Sequence, residues 1–493
     1  MQSELMRNIL SNKILFPEIS ILFIIITTLL IGVFSKKNRV SFLSYLSAGL
    51  LIIPLIFLYD LGSFHYLHYS INLNDIYYID SVTIVFKALC IFATIITLLM
   101  LGSVKNTSNS EYQFELPTLL LSSLLGMLVM ASCNNLLVMY MGIELQTLCL
   151  YILAASRRDN TRSTEAGLKY FILSVLASGL LLYGISLVYT FTGTISFSAL
   201  SSLYNNEFID IHNVPIAILI GLILILVAFF FKISAVPFHM WTPDVYEGSP
   251  TIFTAFFSSA PKIAALCLII RMFDFIFSRW HEYMNQIFIF VAVITMLIGA
   301  LAAVKQNKIK RLLAYSSIGH MGFVLLGFVA NNTLGNQSIL LYIMIYAIMT
   351  LGTFACIIMI EENTAHFENI HDLAGLSKSN PYLAAIIAIL MFSMAGIPPL
   401  AGFFAKFAIL KTIINSGYVM LATITVVISV VSAYYYLNIV KIMYFDQDNQ
   451  NLVVQPSLGL SAIASLMAAI NLLFILMQNS FGKILNFAFY EIH

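Results

Sequence analysis

Charge is the scarcest commodity in this 493-residue chain. Asp, Glu, Lys and Arg make up 10% of it, against about 25% in an ordinary soluble domain. That excludes a molecule whose surface meets water on all sides. The net charge is only +1 and no basic run with interleaved aromatics occurs, which excludes a nucleic-acid partner. Cysteine is sparse too. Cys90, Cys133, Cys149, Cys267 and Cys356 form no C-x-x-C pair and lie mostly in apolar segments, so packing is expected rather than an iron–sulfur or disulfide framework. No metal site and no cofactor-binding motif is read in this chain. No polar linker or soluble domain is present either: the longest polar stretches, 193–213 and 361–381, are too short to fold alone. The opening residues read as the approach to a first membrane helix, with no cleavable signal.

What the chain has in excess is apolar surface. Hydrophobic residues make up 60% of it, and the mean hydropathy is +0.93. The expected fold class is an all-α polytopic membrane protein. Spans are expected near 17–35, 41–59, 80–102, 115–131, 134–155, 163–191, 214–247, 251–276, 283–303, 309–329, 337–361, 382–413, 418–444 and 457–478, about fourteen in all. Loops after odd-numbered helices carry Lys36, Lys37, Arg39, Lys105, Arg157, Arg158, Arg162, Lys305, Lys308, Lys310, Arg311, Lys378 and Lys441. The other side carries Arg7, Lys13, Arg271, Arg279, Lys411 and Lys483. The positive-inside rule puts the first set in the cytoplasm (or its mitochondrial equivalent) and both termini on the opposite side.

An ionisable group at mid-membrane costs roughly 2.5–3.5 kcal/mol on insertion scales, so each one needs a reason. Glu144 is about thirteen residues, roughly 20 Å of helix, from the Arg157/Arg158 anchor, beyond a carboxylate's reach to the interface. It shares a helix face with Tyr140, Thr147 and Tyr151, a stripe expected to face protein or water. Lys169 lies in the opening turns of the next helix, where a water-bridged pair with Glu144 competes with simple snorkelling. Lys232 stands five residues before Pro237 in "FKISAVPFHMWTPD". A proline there interrupts the helix, and broken helices at membrane depth are how transporters build ion sites. Lys262 follows Pro261 and has Ser258 and Ser259 one turn back. Lys406 follows a break marked by Gly396, Pro398, Pro399 and Gly402. His320 sits one turn after Ser316 and Ser317 and can relay a proton; on its own it also fits a satisfied core histidine. For every one of these groups a purely structural ion pair or a carbonyl-bound lysine is the competing reading.

The lysine-and-proline arrangement recurs five helices apart. If helices 4–8 and 9–13 are two copies of one unit, their odd helix count gives them opposite orientations in the membrane, the inverted-repeat logic of ion-translocating proteins. The corresponding division is 1–110 (three helices), 111–280 and 281–445 (the two repeats), and 446–493 (the C-terminal helix).

Five stretches carry a family resemblance: "GIELQTLCLYILAA", "STEAGLKYFILSVLASGLLLYG", "FKISAVPFHMWTPDVYEGSP", "KRLLAYSSIGHMG" and "FSMAGIPPLAGFFAKF". In this order the chain resembles the antiporter-like membrane subunits of respiratory complex I, in their subunit N branch, over roughly 115–445. The resemblance implies a fourteen-helix fold with inverted five-helix repeats and a central hydrophilic axis. It implies proton translocation by Glu144, Lys169, Lys232, Lys262, His320 and Lys406, with Lys310 matching a further basic position. It also implies that NAD, FMN, iron–sulfur clusters and ubiquinone belong to partner subunits. The expected partners are the adjacent membrane-arm subunits and lipid, in a mitochondrial inner membrane or, for a prokaryotic source, the plasma membrane. The expected sequence runs from Lys232 through Lys262 and water to His320, with Lys406 as exit-side store and Glu144 tuning Lys169 and Lys232. A cation/proton antiporter and a structural scaffold of the membrane arm are the competing functions.

Overall fold

The computed structural model describes residues 14–35, 40–63, 71–73, 76–104, 113–205, 216–273, 276, 281–364, 367–446 and 457–489. The loop charges expected from Arg7, Lys13, Lys36, Lys37, Arg39, Lys105 and Arg279 lie outside these residues, as does most of the second half of the 193–213 loop.

Eleven of the described helices are long and apolar enough to cross a membrane, or twelve if one bent pair counts as a single span. The first is α1 (Phe16–Phe34), followed by α2 (Val40–Leu50) and α3 (Ile52–Ser63), which form one continuous candidate span. Next come a two-stranded antiparallel hairpin, β1 (Ile71–Leu73) and β2 (Tyr77–Ile79), and α4 (Ser81–Ser103). Asp80 caps α4: its carboxylate accepts from the Thr83 N–H at 2.7 Å while the Thr83 hydroxyl accepts from the Asp80 N–H at 3.0 Å. Beyond it lie α5 (Glu115–Ser132), α6 (Leu136–Ala154), α7 (Thr161–Thr192) and a short α8 (Phe197–Asn205). Without a hydrophobic drive between helices in lipid, close approach depends on small residues. Gly126 and Gly142 let α5 and α6 touch backbone to backbone: a Cβ on Gly126 would sit 2.6 Å from the Gln146 nitrogen.

The expected seventh helix is two pieces, α9 (Ile216–Lys232) and α10 (Trp241–Gly248). The break begins well before Pro237. α9 ends on Lys232, and Ser234 takes a left-handed φ of 65°. Backbone groups freed at membrane depth must find partners inside the protein, and here they do. The Val236 N–H donates to Thr295 Oγ1 at 3.0 Å, and Trp241 Nε1 donates to the Phe231 carbonyl at 3.0 Å. Three helices follow that form the bundle's interior, α11 (Thr251–Met272), α13 (Ile309–Val329) and α14 (Thr333–Asn363), with α12 (His281–Val304) between the first two in sequence. The apolar stretch of α11 is buried on every side and that of α14 nearly so, whereas α1 and α7 turn most of their surface outward. Such all-round apolarity is what a central helix requires.

After a 3₁₀ turn (Ile370–Leu373) and the four-residue α15 (Leu376–Ser379), the expected twelfth helix is likewise two pieces. α16 (Pro381–Ala395) stops at Gly396, whose φ of 87° suits only glycine, and α17 (Ala401–Asn415) resumes after it. The Gly402 N–H donates to Ser393 Oγ across the break at 3.0 Å. α18 (Val419–Phe445) completes this half. The C-terminal segment departs from the single helix expected at 457–478: α19 (Leu458–Leu472) bends by 85° into α20 (Phe474–Ala488). Arg271 also departs from expectation. It is no loop charge but a buried side chain in the last turn of α11, donating to the Ala131 carbonyl at 2.7 Å and lying over the Tyr78 ring.

Candidate functional site

The central helices bring most of the expected residues into one buried row. On α11, Lys262 is almost fully buried and donates to Ser317 Oγ on α13. Ser317 Oγ lies 2.7 Å from Tyr346 OH on α14. One turn along α13, His320 is buried between two phenols, with Tyr342 OH 2.7 Å from Nδ1 and Tyr436 OH of α18 3.0 Å from Nε2. Tyr436 OH also bonds Ser316 Oγ. Lys406 on α17 is buried, faces the Phe323 ring at 5.3 Å and donates to the Ala395 carbonyl at 2.9 Å. A gap of about 10 Å³, lined by Ser316, His320, Phe323, Lys406, Ser432 and Tyr436, lies between His320 and Lys406. That is close to the smallest space that holds one water.

The row is chemically suited to moving a proton. Each hydroxyl and the imidazole can both donate and accept, in two hydrogen-bonded runs, Lys262–Ser317–Tyr346 and Tyr342–His320–Tyr436–Ser316, that meet where the Tyr346 and His320 rings lie 5.3 Å apart. Two of the lysines, Lys232 and Lys406, sit where a half-helix presents its negative terminus. Lys232 is in the last turn of α9; Lys406 reaches back to the last residue of α16.

Lys232 is partly buried and donates to Ser174 Oγ of α7 at 3.1 Å. No hydrogen bond among the described residues joins it to Lys262. Glu144 is partly buried, with its Oε1 fully buried and without a hydrogen-bond partner among the described residues. Its stripe faces protein as expected: Thr147 and Tyr151 are buried. Lys169 is a correction. It does not join Glu144 but pairs with Glu165 at 2.7 Å and Asp244 at 2.9 Å, at a partly exposed position. Its flexible stem ends where α7 passes α10, so the nearest carboxylates are those of its own helix turn and of the second half-helix.

Asp244 belongs to a larger charge network on the basic-loop side. Arg311 bridges Asp244 at 3.3 Å and Glu247 at 3.0 Å, Lys308 bridges Glu247 at 2.5 Å and Glu368 at 3.4 Å, and Arg162 pairs with Glu368 at 2.5 Å. Partial burial alone would raise the Glu368 carboxyl, but Arg162 and Lys308 hold it below the usual carboxylate range. Lys310, also on α13, donates to the Ser249 carbonyl at 2.8 Å and to Thr251 Oγ1 at 3.3 Å.

Sequence reasoning missed several members. Tyr342 and Tyr346 are one turn apart on α14, and that i, i+4 phenol pair was the available signal. Tyr436 was hidden in a run of three tyrosines. Lys87, on α4, is fully buried and pairs with Glu18 at 2.6 Å. The rule that flagged Lys262 applied to it equally, since it lies seven residues inside an apolar span. All five cysteines are buried and free. Among the described residues no group of three or more His, Cys, Asp or Glu side chains could hold a metal ion.

A family model described as "NADH:quinone oxidoreductase/Mrp antiporter, TM" matches residues 133–432, which span both broken helices and all of the row except Tyr436. The class is therefore that of antiporter-type transmembrane subunits. NADH-quinone oxidoreductase subunit N of Bartonella bacilliformis is 44% identical over 98% of this chain and 96% of its own length. A chain of respiratory complex I from Thermus thermophilus with bound aureothin is 28% identical, with a TM-score of 0.76 over 94% of this chain and 98% of that one. A chain of the Mrp complex from Dietzia sp. DQ12-45-1b, at 20% identity and TM-score 0.83 over 96% of each, shares the fold. The chain belongs to the NADH-quinone oxidoreductase subunit N family.

Proposed function

We propose that this chain is the proton-translocating, antiporter-like subunit N of an NADH:quinone oxidoreductase. NADH oxidation on FMN, electron passage through iron–sulfur clusters and quinone reduction take place in partner subunits, and this chain takes up the released energy as proton movement. Moving one charge against 100 mV requires about 2.3 kcal/mol, and these partners supply it. Adjacent membrane-arm subunits and lipid cover its outward faces. Its homologues here are bacterial, which supports the plasma membrane rather than a mitochondrial one.

The observation that carries this reading is the buried row from Lys262 through Ser317, Tyr346, His320 and Tyr436 to the edge of Lys406. A scaffold would need paired charges; this row has alternating donors and acceptors with lysines at its ends. Lys232 feeds the row through water, under the field of Glu144. Lys169, tied to Asp244, moves with the second half-helix, so its contribution is to link α7 to the break. The two broken helices support a division into inverted units, 111–280 and 281–445, flanked by 1–110 and 446–493.

Replacing Lys262 by alanine in the assembled complex, reconstituted in vesicles, should lower proton pumping at least about ten-fold, the lower range for losing a positioned proton donor. Wild-type pumping in that variant would sink the assignment.

A further inference from the structure

Thr251, at the first position of α11, stands between a carboxylate and an ammonium. Its hydroxyl donates to Glu361, with the two carboxylate oxygens 2.6 and 2.8 Å away, and accepts from Lys310 Nζ at 3.3 Å. Glu361 is in the last turn of α14, Lys310 in the first turn of α13. All three line one cavity of about 240 Å³, open on the side where the basic loops gather. Its wall also carries Arg157, Arg162, Glu247, Lys308 and Glu368. A polar cavity of this size holds several waters. None of these groups belongs to the row of Lys262 and His320, yet the same helix connects them. Lys310 and Ser317 are seven residues apart on α13, two turns along one face, and Ser317 is the partner of Lys262.

We propose that this cavity is the proton-intake port of the chain on its cytoplasmic side, with Glu361 collecting the proton, Thr251 relaying it and Lys310 receiving it. The proposal rests on the proton-translocation reading above. A hydronium ion arriving through the cavity water gives its proton to the Glu361 carboxylate and is left as water. The Glu361 O–H then breaks as a new O–H forms on Thr251, while the proton Thr251 held passes to the lone pair of a neutral Lys310 amine. Glu361 returns to its carboxylate and Lys310 becomes an ammonium, so charge and protons balance. The bonds present in the structure are those of the state after transfer: ammonium on Lys310, carboxylate on Glu361, hydroxyl pointing from one to the other. Water carries the proton along the α13 face to Ser317. Glu247 and Glu368 pair with Lys308 and Arg162 on the cavity wall.

A structural hydrogen bond and a relay respond differently to substitution. Thr251→Ser keeps the hydroxyl, and Thr251→Val keeps the shape but removes it. In vesicles carrying the intact complex, Thr251→Val and Glu361→Gln should lower pumping about ten-fold, in line with loss of a positioned acid–base group, and Thr251→Ser should restore most of it. A second measurement covers variants that fail to assemble. Thr364 lies on the cavity wall and the native cysteines are all buried. A Thr364→Cys complex, assayed before and after reaction with a bulky cationic methanethiosulfonate, should lose pumping on labelling. Lys262→Ala is measured alongside. If it abolishes pumping while Thr251→Val pumps at the wild-type rate, or while the Thr364→Cys label has no effect, the port is overturned and the path stands. If Lys262→Ala itself pumps normally, the underlying reading fails with it.

Discussion

The two broken helices solve one problem in two ways. In the first, the lysine sits on the end of the leading half-helix and offers its ammonium to a hydroxyl of another helix, Ser174. The backbone of that break is satisfied independently, by Thr295 and Trp241. In the second, the lysine sits on the trailing half-helix and reaches back to the terminal carbonyl of the leading one, Ala395. Lys406 is thus part of what holds its break together, and Lys232 is not. The negative end of a half-helix faces an ammonium in both, but only at Lys232 is the charge separable from the architecture. A position that must change protonation without disturbing the backbone is better built the first way, and one that holds a proton near an exit can be built the second way.

That contrast sets out its own tests. The largest effect should come from Lys232→Ala: proton pumping falls at least about ten-fold, while the amount of assembled complex stays near wild type. Lys406→Ala should lose pumping to the same degree but also strand the Ala395 carbonyl, costing about 1–3 kcal/mol of stability; a lower unfolding temperature of the purified complex would register it. Equal stability of the two variants would erase the distinction drawn here. Of similar size should be Thr295→Val, which leaves the Val236 N–H unpartnered and should cost about 1–3 kcal/mol with only a secondary effect on pumping.

The smallest effect belongs to the exposed network. The Glu368 carboxyl is held low by Arg162 and Lys308 against the opposing influence of partial burial. Its folded value lies below its ordinary value of about 4.3, so its stabilisation is complete above that value and is lost as pH falls through the depressed one. Glu368→Gln should remove this acid-side component and lower stability by less than about 1 kcal/mol at neutral pH, read as the difference between unfolding temperatures at neutral and acidic pH. An acid response identical to wild type would remove Glu368 from the network.

Much of this was legible in the sequence because lipid makes polarity expensive. A lysine inside an apolar run announces itself, and Lys232, Lys262 and Lys406 were found that way, as was His320 beside its serines. The helix order followed from the same apolar runs. What stayed hidden depends on which faces meet. The phenols of Tyr342, Tyr346 and Tyr436 tolerate a membrane on their own, so nothing in their helices marks them until they surround His320. For Lys169 a water-bridged pair with Glu144 stood beside simple snorkelling, and the carboxylate it meets across helices, Asp244, arrives instead from the second half-helix. The extent of each break was not readable either. Pro237 marks the interruption, but α9 ends five residues earlier, where Ser234 turns left-handed. Arg271 was expected among the loop charges, and the Lys87–Glu18 pair lies inside two expected spans but was not singled out; tertiary packing buries all three.

The central claim is that one proton path runs in series from the first break to the second. The most direct measurement is the number of protons moved per NADH oxidised, in vesicles bearing the intact complex, for Lys232→Ala, Lys406→Ala and the double variant. A serial path gives the same reduced yield in both single variants and no further loss in the double, the non-additivity of groups acting as a unit. Wild-type yield in either single variant, or a double variant whose loss is the product of the two, would contradict it.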